Sequence, residues 1–494
     1  MTWNKSHRIL FLNTIAFTIC FAAWTSNGVL VTFLVDNGVF DWTTVQMGWL
    51  FGIPILTGSI FRIPLGILTD KFGGRMVYGL LLLLSAVPMY FLSYANSFLS
   101  FALLSAGFGM AGTSFAVGIA YSSIWYKKEH QGTALGIFGA GNAGAALTTL
   151  VGPRLLNNLT NHATNLEAWR ELPKIYAASL FITGIVFFLF TETKLPEGQA
   201  NKTLSELLQP LRRMRVWRFS LYYFLVFGCF VAFSQWLLPY FVNVYTVSLV
   251  TAGYWSSWFS FPSGVIRALG GWCSDKYGAQ KVMYWVLGSS LIISLMLTVP
   301  RLESYSPGAG IMAKKAGVVA SVTDSEIVVS NVTYQLAAKE SVNYDENADI
   351  LIWPTKQSWH KPMVKVGDTV VKKQLLAQGI TRIYFQANVW IFGILVITIG
   401  IIWGIGKAAV FKHIADYFPK EVGVVGGLVG ALGGLGGFFC PIIFGYLLKF
   451  TGLWTSCWMF MFILSAACLI WMHSVVQSML RSKDPNLLRE LEKK

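Results

Sequence analysis

The stretch GWLFGIPILTGSIFRIPLGILTDKFGGR, residues 48–75, places Arg62 in the middle of an apolar helical run. A second stretch, AGYWSSWFSFPSGVIRALGGWCSDKYGAQK, residues 252–281, places Arg267 in the same way. Aligned on these arginines, at an offset of 205 residues, the stretches match without a gap at Gly66 and Gly271, Asp70 and Asp275, Lys71 and Lys276, and Gly73 and Gly278. A guanidinium keeps its proton, and placing one at membrane depth costs at least about 2.5–3.5 kcal/mol. Two of them at repeat-related positions predict one central site with two fixed positive charges, which would bind an anion.

The composition indicates an integral membrane protein. Of the 494 residues, 54% are apolar and 12% are charged, and apolar runs of the length that crosses a bilayer recur along the chain. A cleaved secretory signal is not expected, because the first run is too long and lacks a clear small-residue cleavage site. The predicted spans lie near residues 10–34, 46–67, 76–95, 98–125, 132–152, 174–192, 218–241, 250–271, 281–299, 385–410, 421–447 and 454–475.

The net charge of +15 would also suit a nucleic-acid partner, but its distribution argues against one. The basic residues cluster in the loops that an even number of spans would place on one side, as the positive-inside rule expects. We therefore expect a multi-pass protein of the cytoplasmic (inner) membrane, with both termini in the cytoplasm and no nucleic-acid partner. A monomer is expected.

The six cysteines fall within or at the ends of predicted spans, without metal-ligand spacing. We interpret them as small packing residues. The sequence also shows no catalytic triad, metal cluster or nucleotide-binding loop. Neither an enzyme nor a cofactor or metal site is predicted.

A second repeat locates an insertion in the second half. GAGNAG at 139–144 corresponds to GALGGLG at 430–436 at an offset of 291, so the second half gained about 86 residues relative to the arginine offset of 205. The polar segment 301–382 accounts for the gain, and its short β-branched runs with Gly-Asp turns predict a small β-domain. This segment resembles the barrel-sandwich hybrid fold of lipoyl-like domains, but it lacks the hairpin tip that would predict lipoylation.

The expected fold is an all-α membrane protein with twelve helices in two six-helix halves and this β insertion between helices nine and ten. Two parallel halves around a midplane site are typical of the major facilitator superfamily. The expected divisions are an N-terminal half at 1–192, a cytoplasmic linker with an amphipathic helix at 193–217, spans seven to nine at 218–300, an extracytoplasmic insertion at 301–382, and spans ten to twelve with a cytoplasmic tail at 383–494.

The loop at 66–75 resembles the signature of that superfamily between spans two and three, and 271–281 repeats it more loosely. Its aspartate can pair with a basic residue or cap a helix end when the nearby side is closed. The resemblance implies gating roles, without substrate contact, for Asp70, Lys71, Arg75, Asp275 and Lys276.

Glycines crowd spans five and eleven. Close helix packing explains any single one of them, but their density favours bare backbone along a narrow pore or helices that slide during transport. The signature glycines are Gly139, Gly141, Gly144, Gly430, Gly433 and Gly434.

AGNAG on span five, GGLVGALGGLGG on span eleven and the paired arginines together resemble the nitrate/nitrite porter family, over all twelve spans. The resemblance implies that Arg62 and Arg267 bind the planar anion and that Asn142 is its neighbour. Span seven, SLYYFLVFGCF, is similar to the family segment whose tyrosine and phenylalanine line the site, which implies Tyr223 and Phe227.

The chemistry of these residues agrees with that assignment. A guanidinium offers planar forked donors, and aromatic walls exclude water from a flat, weakly hydrated anion. Each residue also has a structural alternative: an ion pair for the arginines, an interhelical hydrogen bond for Asn142, and core packing for Tyr223 and Phe227. No acidic residue appears in mid-span to pair with the arginines.

Span ten departs from the family pattern at Lys407, where members commonly have asparagine. Its amine either reaches the membrane interface or is buried near two fixed cations, where the charged form is disfavoured. In the second case Lys407 would take up a proton when the anion arrives.

The sequence thus predicts a nitrate or nitrite transporter that works by alternating access, either as a nitrate/nitrite exchanger or as a nitrate/proton symporter. One alternative is an antiporter of organic phosphates or other organic anions, which would need a larger pocket with more lysine or histidine. Another is a nitrate sensor or interaction protein that works through the insertion.

Overall fold

The computed structural model is mostly helical and describes residues 5–126, 128–195, 208–299, 302–339, 355–385, 388–418 and 421–483. Among these residues, eleven helices are long and apolar enough to cross a membrane. The predicted span at 250–271 corresponds to the helices Leu249–Val265 and Arg267–Tyr277. The predicted major facilitator fold is confirmed.

Several spans consist of two helices joined partway along the span. Spans one to six comprise Lys5–Trp24 with Asn27–Asp36; Thr44–Ile60 with Arg62–Phe72; Gly74–Phe91 with the 3-10 turn Leu92–Tyr94; Phe98–Gly109, the turn Met110–Thr113 and Ser114–Ser123; Lys128–Gly139, the turn Ala140–Ala143 and Gly144–Leu159; and the turn Leu166–Arg170 with Glu171–Phe190.

The second half repeats this arrangement. Spans seven to twelve comprise Met214–Tyr223, the π-helical segment Phe224–Gly228 and Cys229–Tyr245; Leu249–Val265 with Arg267–Tyr277; Ala279–Leu297; Val389–Tyr417; Val422–Gly434 with Gly436–Thr451; and Ser456–Lys483. The sequence LSELLQPLRRMR, residues 204–215, carries the predicted amphipathic helix, and its first four residues lie outside the described residues. Its described part is not a continuous α-helix: Gln209–Arg212 form a 3-10 turn, and Met214 begins span seven.

The breaks in spans two and eight fall at equivalent positions. Each comes one residue before the arginine, at Phe61 and at Ile266. In span two, Pro64 lacks the backbone N–H that would bond to the carbonyl of Ile60, which explains a break at this point. Arg62 and Arg267 each begin the second helix of their span.

The predicted β insertion between helices nine and ten is confirmed and forms a separate compact unit, Val299–Phe392. Its strands are β1 (Leu302–Met312), β2 (Gly317–Val322), β3 (Glu326–Val329), β4 (Val332–Gln335), β5 (Thr355–Pro362), β6 (Thr369–Val370) and β7 (Leu375–Phe385). They make two antiparallel sheets, ordered β1-β7-β5 and β4-β3-β2-β6. Alternating strand residues such as Val319, Ile327 and Val329 form its own small apolar core.

Within the helical unit, the two halves pack tightly at the end remote from the termini. A Cβ placed at Gly48 of span two would lie 2.4 Å from the carbonyl oxygen of Pro441 in span eleven. A Cβ at Gly253 of span eight would lie 2.3 Å from the carbonyl oxygen of Thr149 in span five. Only glycine permits such backbone contact, so this end is closed.

At the opposite end, the same four spans have free space. A Cβ placed on any of four glycines there would have no described atom within 4 Å: Gly66, Gly136, Gly271 and Gly427. The helical unit is therefore closed at one end and open between spans two, five, eight and eleven at the other.

Candidate functional site

Arg62 and Arg267 approach the same aromatic ring from opposite halves of the protein. The guanidinium carbon of Arg62 lies 5.6 Å, and that of Arg267 5.3 Å, from the ring centre of Phe115 in span four. Both arginines also lie close to Tyr223 of span seven. The repeat-related charges identified in the sequence thus converge on one place.

Arg62 is buried and held rigidly. Its Nη1 donates to the carbonyl oxygen of Gly430 at 2.5 Å, and its guanidinium also lies against the rings of Trp24 (5.7 Å) and Phe227 (5.3 Å). Such contacts stabilise a desolvated cation by about 2 kcal/mol each. Its Nε and Nη2 form no hydrogen bond within the described part of the chain.

Arg267 is half-buried and less constrained. Its guanidinium lies 5.2 Å from the ring centre of Phe411 in span ten. Its buried Nη1 has no hydrogen-bond partner among the described residues. The two arginines together therefore present unpaired N–H donors beside aromatic rings.

Each arginine faces the glycine-rich span of the other half. A Cβ placed at Gly434 of span eleven would lie 3.1 Å from Nη1 of Arg62, and one at Gly430 would lie 3.9 Å from it. A Cβ at Gly139 of span five would lie 3.4 Å from Cδ of Arg267. These three signature glycines leave room for the arginine side chains.

The other signature glycines serve helix packing. A Cβ at Gly144 would lie 2.2 Å from the backbone oxygen of Thr18, and one at Gly141 would lie 2.4 Å from the ring of Phe17. A Cβ at Gly433 would lie 2.6 Å from the ring of Tyr223, so this glycine sets the position of that ring.

Tyr223 and Phe227 form one wall of the site. Their rings stack with centres 4.9 Å apart, and Phe411 meets Tyr223 edge-on at 5.3 Å. The π-helical segment Phe224–Gly228 begins directly after Tyr223 and contains Phe227, and such segments recur at functional sites. The Tyr223 hydroxyl is buried and lies close to the Arg267 guanidinium.

Asn142 lies in the 3-10 turn of span five, Ala140–Ala143, which packs against spans one and eight. It is fully buried, and neither its amide nitrogen nor its oxygen has a hydrogen-bond partner in the described residues. The interhelical hydrogen bond that would give this residue a purely structural role is not among its contacts.

Lys407 is fully buried and does not reach the membrane interface. Its Nζ donates to the hydroxyl of Ser263 in span eight at 3.0 Å. The same atom lies 3.2 Å from the ring centre of Phe230 and 5.9 Å from that of Phe227. Phe227 is therefore a shared neighbour of Lys407 and Arg62.

The predicted gating residues lie at the open end, and Arg75, Asp275, Lys71 and Lys276 have contacts within their own half. Arg75 Nη2 donates to the carbonyl oxygen of Phe188 in span six at 2.6 Å. Asp275 pairs with Lys412 of span ten at 3.0 Å. Asp70, Lys71 and Lys276 are exposed, and Lys71 and Lys276 lie over the aromatic rings of Phe72 and Trp272.

Sequence reasoning missed three aromatic residues of the site: Trp24, Phe115 and Phe411. They sit on spans one, four and ten, without a motif that separates them from the other aromatic residues of the chain. Trp24 is fixed in place by donating from Nε1 to the carbonyl oxygen of Pro54 at 2.7 Å. Only the contacts made in three dimensions distinguish such rings from core packing.

Known proteins similar to this chain are transporters. Residues 12–339 match the model of the Major Facilitator Superfamily. The chain is 37% identical over 492 residues to "Probable nitrate/nitrite antiporter NarK1" of Thermus thermophilus, covering 99% of this chain and 95% of that protein. It is 26% identical over 454 residues to "Nitrite extrusion protein" of Bacillus subtilis (strain 168), covering 91% and 89%.

Among solved structures, the chain is similar to a bacterial homologue of the human lysosomal transporter Spinster. The TM-score is 0.63 at 13% identity, over 97% of this chain and 99% of the other. At this identity the likeness concerns the fold alone.

Proposed function

Because the chain belongs to the Major Facilitator Superfamily and, within it, to the nitrate/nitrite porter family, we propose that it carries nitrate and nitrite across the cytoplasmic membrane by alternating access. The observation that carries this proposal is the pair of guanidinium groups, one from each half, that flank Phe115 with unpaired N–H donors. Nitrate is a flat monoanion with three acceptor oxygens, and planar forked donors suit it.

We place both termini in the cytoplasm, which makes the closed end of the helical unit the outer end. The open end, where Gly66 of span two and Gly271 of span eight lie, then faces the cytoplasm. Transport requires the opposite arrangement to form, with the anion between two halves that each contribute one arginine.

The site favours exchange of one anion for another. A carrier that crosses the membrane empty keeps two buried guanidinium groups without a counter-ion, and uncompensated buried charge is costly. A carrier that returns with nitrite has one of these charges neutralised. We therefore expect nitrate/nitrite exchange to be faster than net uptake of either anion.

The test is nitrate uptake by liposomes that contain the purified protein, with and without nitrite inside. Internal nitrite should accelerate uptake, and an organic phosphate inside should not. A nitrate sensor would bind nitrate but move none, and an organic-anion antiporter would respond to the phosphate. Either of these results would overturn the proposal.

A further inference from the structure

We propose that spans eight and nine bind the headgroup of an anionic phospholipid at the open end of the helical unit. The ligand is a negatively charged phosphodiester from the leaflet that meets this end. The site is a cluster of two lysines and three aromatic residues, here called the lysine–aromatic cluster: Lys276, Lys281, Trp272, Tyr277 and Trp285. It lies outside the arginine site, and it does not depend on the proposed function.

The lysine–aromatic cluster is connected by direct contacts. The Nζ atom of Lys276 lies 4.8 Å from the ring centre of Trp272 and 5.3 Å from that of Tyr277. The rings of Tyr277 and Trp285 lie 5.5 Å apart, and the Nζ atom of Lys281 lies 5.7 Å from the ring centre of Trp285. The cluster therefore joins the end of span eight to the start of span nine and places two ammonium groups on one set of rings.

The two ammonium groups have no counter-ion in the part of the chain that the structure describes. The adjacent carboxylate, that of Asp275, pairs instead with Lys412 at 3.0 Å. Lys281 and Tyr284 line an open surface cavity of about 460 Å³. Cations beside a cavity at the end of membrane-spanning helices are the kind of site that binds lipid phosphate groups.

The exposed face of span nine favours a lipid over a soluble phosphate. Trp285, Ile292 and Met296 recur at helical spacing and are 49%, 56% and 53% exposed, on a helix long and apolar enough to cross a membrane. A row of exposed apolar residues on such a helix faces acyl chains, and tryptophan marks its interfacial end. Lys281 stands one turn before Trp285, near the start of the helix, where a lysine amine reaches the headgroup level. A phosphate bound there would have its acyl chains along this row.

The first half of the chain repeats the fold without repeating this cluster. At the offset of 205, Lys281 and Trp285 correspond to Met76 and Leu80 of span three. Met76 and Leu80 are exposed in the same way, at 51% and 43%, so the corresponding face of span three is apolar from its start. The fold therefore requires neither a lysine nor a tryptophan at these positions, and a ligand specific to the second half accounts for both.

The experiment measures lipid binding to the purified full-length protein by native mass spectrometry. Phosphatidylglycerol, which is anionic, is compared with phosphatidylcholine, which has no net charge, with the same acyl chains in both. The protein should retain phosphatidylglycerol under conditions that remove phosphatidylcholine, and excess inorganic phosphate should not displace it. Equal retention of the two lipids would overturn the proposal. Displacement of phosphatidylglycerol by inorganic phosphate would assign the site to a soluble anion and would also overturn it.

Two substitutions then locate the site. Lys281→Met and Trp285→Leu introduce the residues that the first half has at these exposed positions, so both variants should fold, which gel filtration checks. Each should weaken phosphatidylglycerol binding by about fivefold and leave phosphatidylcholine retention unchanged. Lys449→Met, at an exposed lysine near the closed end of span eleven, removes the same charge and is the control.

Unchanged phosphatidylglycerol binding in both site variants, or an equal loss in Lys449→Met, would overturn the assignment to spans eight and nine. Because lipid retention is measured and not transport, either result would leave the proposed function standing.

Discussion

Arg62 and Arg267 are equivalent in the repeat but are held differently. Arg62 is buried, bonded to the Gly430 carbonyl and enclosed by three rings, so its geometry is fixed before an anion arrives. Arg267 is half-buried and contacts two rings. We interpret Arg62 as the rigid part of the anion site and Arg267 as the part that adjusts when the anion binds.

Replacement of either arginine by lysine tests this chemistry. Arg62→Lys and Arg267→Lys keep the charge but lose the planar fork. Hydrogen bonds to a charged group contribute about 1.5–3 kcal/mol, so we expect the KM for nitrate in exchange to rise by about 10- to 100-fold. The exposed Arg212 of the linker is the control, and Arg212→Lys should behave as wild type. Normal KM values in both site variants would contradict the assignment.

For single residues, the sequence was informative where a residue type is rare in its surroundings. An arginine in an apolar helix has few structural explanations, so Arg62 and Arg267 were predictable from one chain. Phe115 was not, although both arginines lie against it, because a phenylalanine in a span is ordinary core composition. For Lys407 the sequence left burial and interface open, since depth along a helix depends on how the neighbouring spans pack.

Each glycine-rich span leaves space for the arginine side chain of the other half. Span eleven passes Arg62 at Gly430 and Gly434, and span five passes Arg267 at Gly139. At their open ends, Gly136 and Gly427 have free space on the same spans. We infer that these surfaces approach spans two and eight when the open end closes.

Substitution of Gly434 tests the need for this space. A Cβ there would lie 2.7 Å from the Ser59 hydroxyl oxygen and 3.1 Å from Arg62 Nη1. Gly434→Ala should therefore displace Arg62 and reduce nitrate exchange by about tenfold, since overpacking commonly costs about 1–3 kcal/mol. Gly288→Ala on span nine has open space for the methyl group and should leave exchange and stability unchanged. Equal activity of the two variants would show that Gly434 is not limited by the arginine.

The sequence predicted these elements as single spans and could not predict their internal breaks. Apolar residues continue through Phe61, Ile266 and the turn Ala140–Ala143, so the pattern gives no sign of a break. The apolar pattern of the sequence likewise gives no sign of the π-helical segment Phe224–Gly228. Pro64 was the one local signal, and it marks the break in span two.

At the level of the whole molecule, we expect the helical unit to carry out transport without the insertion. The insertion is a compact unit of its own, with its own apolar core. Its first and last strands pair from Leu302 with Phe385 onward, so the chain enters and leaves it through one antiparallel ribbon. A segment that starts and ends at paired residues can be removed without separating spans nine and ten.

Shortening this ribbon is the corresponding prediction. Ser306 and Thr381 are directly paired, and paired residues in an antiparallel ribbon lie about 5 Å apart, so a short Gly/Ser turn can join them in place of 307–380. We expect this variant to insert into the membrane and to exchange nitrate for nitrite within about twofold of wild type, because it retains every described span. A variant that is folded and inserted but inactive would assign the insertion to the transport cycle.

The two arginines, one from each half, should form a single anion site. Calorimetric titration of nitrate into the purified full-length protein tests it most directly, with the Arg62→Lys and Arg267→Lys variants measured alongside. We expect one nitrate to bind per chain and to be displaced by nitrite, and we expect this binding event to be lost in either variant. Two independent nitrate sites, with one of them surviving in each variant, would contradict it.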